Sequence, residues 1–339
     1  MDNRIWSQQE AIAQLDAWGI AGIPFAFYCD YAQECWHIVQ LTAALQPTEP
    51  CTWYFDFNLP SQRVAHLPTA TDTNTPFNWQ ADIPNRAAYT KAFEHVMQGL
   101  KRGDSFLTNL TWRVPLHTSL TLEALFLRAK APYKLYVPGQ FCVCSPETFV
   151  TIEGTQIATY PMKGTIPANQ PQALDKLLNS PKERAEHATI VDLMRNDLSQ
   201  VASNVRVTCY RYAEQITTPR GGLWQTSSEI TGTLHTELWG RWGSILAPLL
   251  PAGSITGAPK RATQQLIAEA EPCARHYYTG IMGVCTGHAL YTAVMIRYME
   301  QASDGFYFRA GGGITAQSHC EEEWQEVHHK AQPPIPTTP

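Results

Sequence analysis

The sequence is poor in charge and has no long apolar run. Only 16% of its 339 residues are Asp, Glu, Lys or Arg, the net charge is -5, and the pI is near 6.1. Nucleic-acid surfaces need a basic stripe, so this balance excludes a nucleic-acid partner. Apolar stretches such as "SILAPLLPAG" are too short to cross a bilayer, so no membrane partner is expected. The opening "MDNRIWSQQE" carries acids and lacks an apolar centre; it does not read as a signal peptide, and a cytoplasmic location is expected. Cysteines number nine, an odd count at irregular spacing, with no CxxC and no Cys/His ladder. A structural zinc site is therefore not expected. The thiols, including the close pair Cys142 and Cys144, read as free in a reducing compartment. A Walker A loop and an internal repeat are also missing.

What is present is a globular composition, 44% hydrophobic, long enough for one large domain or two ordinary ones. Over residues 20–58 the aromatic runs "IPFAFYCDY", "CWHIVQL" and "CTWYFDFNL" predict an antiparallel meander. Residues 59–85, rich in Pro, Thr and Asn, read as a boundary or a long surface connection. A helix over "RAAYTKAFEHVMQGLKRG" leads to a strand, "SFLTNLTWRVPL". A second helix near "SLTLEALFLRAK" leads to strands in "KLYVPGQFCVCSP" and "TFVTIEGTQIATYP". Further strands are predicted near 206–212, 281–300 and 305–310, and helices near 237–250, 259–271 and 320–330. Strands in runs between groups of helices predict an α+β fold. The tail "AQPPIPTTP" is low in complexity and reads as disordered.

Several stretches could carry chemistry. In "TYPMKGTIPA" one lysine, Lys163, stands in an uncharged run, either as a surface residue at a strand end or as an amine held dry for reaction. "NSPKERAEHATIVDLMRNDLSQVA" opens with Ser180 and Glu183 as a capping box and Pro181 at the first helical position. The helix should run to about Ala202, with Glu183, Glu186, Ile190 and Asp197 on one face. That face meets either water or a site. In "PAGSITGAPKRATQQLIAEAE" small residues precede a helix start at Pro259, where free N–H groups and Gly253 and Gly257 suit a carboxylate or phosphate. Three glycines in "FYFRAGGGITAQ" permit positive φ and close backbone approach. In "HCEEEWQEVHHK", Glu322, Glu323 and Glu326 lie three or four apart and can converge, a donor set that suits Mg²⁺ unless the acids simply face solvent. Arg297, within the apolar strand "AVMIRYM", needs an anionic partner, and a carboxylate takes it bidentately. Glu147, in "CSPETF", closes a strand. Together these residues suit a small polyanionic organic acid bound with Mg²⁺.

Taken in series, "PMKGT", "ERAEHATIVDLMRNDL", "GSITGAPKRA", "YTGIMG", "IRY" and "AGGGITAQSHCEEEWQE" resemble the chorismate-utilising enzymes across roughly residues 86–331. The resemblance implies a large α+β fold, a mixed β-sheet core flanked by helices. Residues 1–85 would form a short β-rich amino-terminal part of the same globule, 86–331 the catalytic domain, and 332–339 a disordered tail. It also implies a cleft in which Mg²⁺ accepts the ring carboxylate of chorismate. By motif position Glu323 and Glu326 are the metal residues, with Glu186 as metal neighbour or as general acid on the departing hydroxyl. Arg297 matches the arginine that grips the enolpyruvyl carboxylate. Gly164, Thr165, Ser254, Gly257, Tyr278, Gly312 and Lys330 match further substrate contacts.

Lys163 separates the branches of this family. Anthranilate-forming members read "PIAGT"; members that make 4-amino-4-deoxychorismate read "PIKGT", as "PMKGT" does here. In that branch the lysine attacks C2 of chorismate as the C4 hydroxyl leaves, and ammonia then enters at C4 and expels the lysine. Glu147 matches the acid given as proton acceptor for this nucleophile. Members that add water carry a lysine where this chain has Leu107, which disfavours isochorismate and salicylate formation. The resemblance thus implies amination of chorismate, on the way to p-aminobenzoate and folate. No "GxCLG" segment is present, so ammonia is expected from a separate glutaminase subunit. Anthranilate formation, or an inactive relative that only binds the glutaminase, are the alternatives. Gln225 stands where relatives often carry a histidine, and no "LLES" tryptophan element occurs.

Overall fold

The computed structural model describes residues 4–69, 75–218 and 221–335. In chain order the first elements are α1 (Gln8–Ile20), β1 (Phe25–Cys29), β2 (Trp36–Gln40), β3 (Tyr54–Asn58), β4 (Arg63–His66) and β5 (Trp79–Ala81). Next come α2 (Arg86–Arg102), β6 (Leu107–Thr118), α3 (Leu122–Arg128), β7 (Tyr133–Val137), β8 (Phe141–Ser145), β9 (Thr148–Glu153), β10 (Gln156–Thr159) and β11 (Met162–Pro167). They are followed by α4 (Ala173–Asn179), α5 (Pro181–Leu198), β12 (Ala202–Thr218), β13 (Gly221–Leu234), α6 (Trp242–Leu249), α7 (Gly253–Thr256), β14 (Gly257–Ala258) and α8 (Lys260–Ala270). The last are β15 (Ile281–Cys285), β16 (Ala289–Val294), β17 (Tyr298–Ala302), β18 (Gly305–Ile314) and α9 (Cys320–Lys330).

The fold is α+β, with helices flanking strands. The strands form two sheets, ordered β11-β13-β10-β9-β16-β15-β1-β2 and β14-β6-β18-β17-β8-β7-β3-β4; β12 adds to β13 and β5 to β6. Every pairing recorded is antiparallel, where one mixed sheet was expected. The sheets meet through a core that includes Tyr28, Phe55, Phe141, Met282 and Tyr298. Outside the first sheet, α1, α5 and α6 bury Leu15, Ile190, Met194 and Leu246 against it. Outside the second, α2, α3, α8 and α9 bury Tyr89, Phe126, Leu266 and Val327. Apolar residues on both faces of the central strands follow from this layering.

Several expectations change for identifiable reasons. The supposed meander is split: β1 pairs with β2 and β15, whereas β3 pairs with β4 and β7 in the other sheet. β1 is buried at all five positions, so its alternation did not reveal which sheet it joins. Residues 59–85 contain the short strands β4 and β5, and residues 70–74 within them lie outside the described residues. The helix from Pro181 ends at Leu198, not Ala202, because β12 begins there. The helix expected over 237–250 divides into a single turn, Thr236–Leu238, and α6. Gly240 breaks it at φ +74, close against the backbone of Gly19. The tail is not wholly loose, since Ile335 is fully buried in the second sheet's outer core; residues 336–339 lie outside the described residues. Among the described residues, no helix is long and apolar enough to cross a membrane.

Candidate active site

Lys163 lies on β11, the outer strand of the first sheet, beside a register shift against β13 between Met162 and Thr165. Gly164 occupies that irregularity at φ +87, a conformation glycine takes without steric cost. The Thr226 hydroxyl donates to the Lys163 carbonyl and anchors the strand. The Lys163 ammonium is 2.9 Å from Glu186 Oε2 on α5. On β18, a Cβ on Gly313 would lie 3.5 Å from Lys163 Nζ and 3.1 Å from Leu107 Cδ1. Strand β18 therefore approaches the lysine closely because it has no side chain there.

Helix α5 supplies the acids of one wall. Its start forms half of the expected capping box: Ser180 Oγ accepts from the Glu183 amide at 3.3 Å. The Glu183 carboxylate turns instead toward Gly164, where an added Cβ would lie 2.6 Å from Oε2. Asp197, on the buried side of the same helix, pairs with Lys260 at 3.0 Å and is a packing group.

Helix α9 supplies the opposite wall. Of its first acids, Glu322 turns outward to Lys182, 2.7 Å away, and only Glu323 and Glu326 face inward. An added Cβ on Gly312 would sit 3.3 Å from an oxygen of each. The three glycines of β18 are extended rather than left-handed; they are there for space, Gly311 against the Leu110 carbonyl, Gly312 and Gly313 against the site. Lys330 reaches Glu326 at 2.5 Å and donates to the Gly311 carbonyl at 2.8 Å.

The charges perturb one another strongly. Burial, reinforced by the neighbouring Glu326 carboxylate, pushes Glu323 up to about 7. Burial acts the same way on Glu326, but Lys330 and Lys163 outweigh it and hold that carboxyl below its ordinary range. Burial opposes charge on Lys163, yet Glu186, Glu326 and Glu323 overcome it and hold the ammonium above the usual lysine range. Burial raises Glu147, which lies between β8 and β9 and accepts a 2.7 Å hydrogen bond from Ser254 Oγ on α7.

Arg297 departs from expectation. It lies between β16 and β17 at φ +53, not inside a strand, and no ion pair or side-chain hydrogen bond is recorded for it among the described residues. Burial lowers its proton affinity while Tyr278, Glu147 and Glu326 act to raise it. A recessed guanidinium so placed is available to an incoming carboxylate. Tyr278 is buried beside it, its phenol pushed up to about 12 by burial. Thr165 is exposed in the β11–β13 pairing, outside this cluster. Gly257, read as part of an anion cradle, is a packing glycine at φ +121, since a Cβ there would run into the Leu107 carbonyl.

One supporting group escaped the sequence reading. Arg275 is bonded to Glu271 at 2.7 Å and donates to the carbonyls of Ile255 and Asn109, while Glu271 also accepts from the Thr111 amide. It fixes α7, and so Ser254, against β6. The i,i+4 acid–base spacing of Glu271 and Arg275 was its only sequence signal.

A family model described as chorismate binding enzyme matches residues 8–336. The chain belongs to the chorismate binding enzyme family. Among relatives, an uncharacterized PabA-like protein of Pasteurella multocida is 49% identical over 76% of this chain and 83% of its own length. A second PabA-like protein, from Haemophilus influenzae, is 42% identical over 97% and 98%. Aminodeoxychorismate synthase component 1 of Salmonella typhimurium is 35% identical over 80% of this chain, which spans 61% of that longer protein. Among solved structures, anthranilate synthase component I of Streptococcus pneumoniae superposes with a TM-score of 0.63 at 28% identity, covering 76% of this chain and 59% of that one. The isochorismate synthase MenF of Escherichia coli shares the fold, with a TM-score of 0.73 at 16% identity over 97% and 82%. In this member of the chorismate binding enzymes, β11, α5 and α9 gather Lys163, Glu186, Glu323, Glu326 and Lys330 into one charged cluster.

Proposed function

We propose that this protein aminates chorismate, converting chorismate and ammonia to 4-amino-4-deoxychorismate with Lys163 as the covalent nucleophile. The placement of Lys163 carries the reading. Its amine lies between the α5 acids and β18, with the apolar Leu107, which cannot act as a base, on the facing side. The relatives named aminodeoxychorismate synthase component 1 support the same reading.

The arrangement gives each step a group. Arg297 takes one carboxylate of chorismate. Glu186 accepts a proton from the Lys163 ammonium, and excluding water from the cleft favours the resulting neutral pair. The free amine attacks C2; both ring double bonds shift, C1=C2 to C1=C6 and C5=C6 to C4=C5, and the C4 hydroxyl leaves as water with the proton held by Glu186. Ammonia then attacks C4, both double bonds return to C5=C6 and C1=C2, and the C2–nitrogen bond breaks to release Lys163. Glu147, bonded to Ser254, is the second acid within reach of this charge system. Mg²⁺ is the implied cofactor. No group of three or more His, Cys, Asp or Glu forms a ready-made cage among the described residues. Two converging carboxylates still fit, because Mg²⁺ commonly takes one or two and completes its shell with water and substrate oxygens. Glu323 and Glu326 would hold it, and it would supply positive charge for the ring carboxylate. Ammonia would come from a glutaminase subunit, and the product would feed p-aminobenzoate and folate synthesis.

The test is to incubate the chain with chorismate, Mg²⁺ and a concentrated ammonium salt and to resolve products by mass-detected chromatography. A chorismate-derived amine that keeps its enolpyruvyl group supports the reading. Fluorescent anthranilate would move the protein to that branch of the family. Chorismate binding without turnover, with or without a glutaminase, would leave a binding subunit only.

A further inference from the structure

We propose that Glu183 is a second proton acceptor of this site, the group that converts incoming ammonium to the ammonia that attacks C4. The inference rests on the amination reading above and assigns a role to a residue that reading leaves idle. Glu183 sits one helical turn before Glu186 on the same wall of α5. Its Oε2 abuts Gly164, the residue after the nucleophile, in space that any larger residue would fill: an added Cβ would lie 2.6 Å from that oxygen. Its neighbours are already committed. Lys163 pairs with Glu186, Lys182 pairs with Glu322, and Lys330 pairs with Glu326. Among the described residues no side-chain hydrogen bond or ion pair is recorded for the half-buried Glu183 carboxylate, whose backbone amide donates to Ser180, although Lys163 and Lys182 act on it from nearby.

Where nitrogen arrives as ammonium, proton accounting calls for such a group. Ammonium carries no lone pair and must lose a proton before it can attack. Glu186 is poorly placed to take that proton, because once the lysine is attached to C2 its nitrogen is a secondary ammonium beside Glu186. Burial and the Glu186 charge both raise the proton affinity of Glu183, and outweigh Lys163 and Lys182, which lower it. The sequence of transfers closes. Ammonium gives a proton to Glu183 and becomes ammonia. Ammonia bonds to C4 as the C2–nitrogen bond breaks, leaving a protonated amine on the product and a neutral Lys163. The proton on Glu183 then passes to Lys163, which restores the ammonium–Glu186 pair. No further reactant is needed.

The discriminating experiment is steady-state kinetics of Glu183→Gln, a near-isosteric change that keeps the Ser180 hydrogen bond to the backbone. The expected result is a fall of about 100-fold in kcat/KM for ammonium, the lower range for loss of a general base. In the same variant kcat/KM for chorismate at saturating ammonium, which reports the first half of the reaction, should change by less than about 3-fold, a small fraction of that effect. Hydroxylamine, already neutral at neutral pH, should restore turnover in the variant toward the parent's rate with the same nucleophile. Equal losses in both kcat/KM values, or an unchanged value for ammonium, would overturn the inference. A parent protein that makes no aminated product would instead overturn the functional reading itself, so the two failures are distinguishable.

Discussion

Burial and charge pull Lys163 in opposite directions, and charge wins in the resting site. The amine is therefore stored as an ammonium against Glu186, and under the proposed amination it can attack only after handing over that proton. A lysine that only supplied charge would be replaceable by arginine; a nucleophile would not be. Lys163→Arg is accordingly expected to lose turnover as completely as Lys163→Ala, by about 10³-fold or more. Chorismate binding, followed by calorimetry, should persist in the arginine variant; recovery of turnover there would reduce the lysine to an electrostatic contact. Glu323 provides a pH-dependent counterpart. Its folded pKa, about 7, lies above the ordinary 4.5, so the native state binds its proton more tightly than the unfolded chain does. The stability it contributes is complete below about 4.5 and is lost as pH rises through about 7. Urea melts of the parent in chelator should show that decline, and Glu323→Gln should flatten it. Added Mg²⁺ should stabilise the parent most at the alkaline end, where both carboxylates are ionised.

At the scale of elements, β18 shows how one run of glycines serves two purposes. Gly311 backs onto the Leu110 carbonyl, 2.4 Å from where a Cβ would be, whereas Gly312 faces the Glu323 and Glu326 oxygens at 3.3 Å. Gly311→Ala should therefore destabilise by about 1–3 kcal/mol through overpacking against rigid backbone. Gly312→Ala should barely move the melting temperature yet weaken Mg²⁺-dependent chorismate binding. Equal effects of the two substitutions on stability and binding would contradict this division of labour. Much at this scale was legible in the sequence. Helix α9 falls on Cys320–Lys330, where acids and apolar residues alternate at helical spacing, and α2 is closed by Gly103 at φ +84. The amino-terminal α1 was not read, although Ser7 and Glu10 form a complete capping box ahead of it. The long β12–β13 ribbon was half-read, because glycines and polar residues mask the strand pattern of β13. Which acids converge was legible only in part. Spacing grouped Glu322 with Glu323 and Glu326, but it could not show that Lys182, on another helix, draws Glu322 outward.

Two antiparallel sheets clamped between helix layers bring residues from distant parts of the chain to one cleft, and no local pattern announces those long-range pairings. β1 meets β15 and β6 meets β18, each across most of the chain length. Where such layers join, a misplaced wall would separate Lys163 from Glu326, so the molecule needs rigid ties near the cleft. Arg275 is one of them. Its guanidinium and that of no other described arginine bridges Glu271 to the carbonyls of both Ile255 and Asn109, joining the end of α8 to α7 and β6. Both partners are almost wholly buried, with side chains 1% and 4% exposed. A buried pair of this kind is costly to assemble and costly to break on one side, because the surviving charge has lost both water and partner. Arg275→Met should therefore lower stability by about 3–5 kcal/mol, read as a drop in the urea midpoint at unchanged slope. The double variant Arg275→Met, Glu271→Leu removes both charges and should recover a large part of that loss, leaving the Ile255 and Asn109 carbonyls and the Thr111 amide as the remaining cost. Additive losses in the double variant would mean that the two side chains act independently. In either variant Ser254 loses the support that holds it on Glu147, so activity should fall even at temperatures where the chain stays folded.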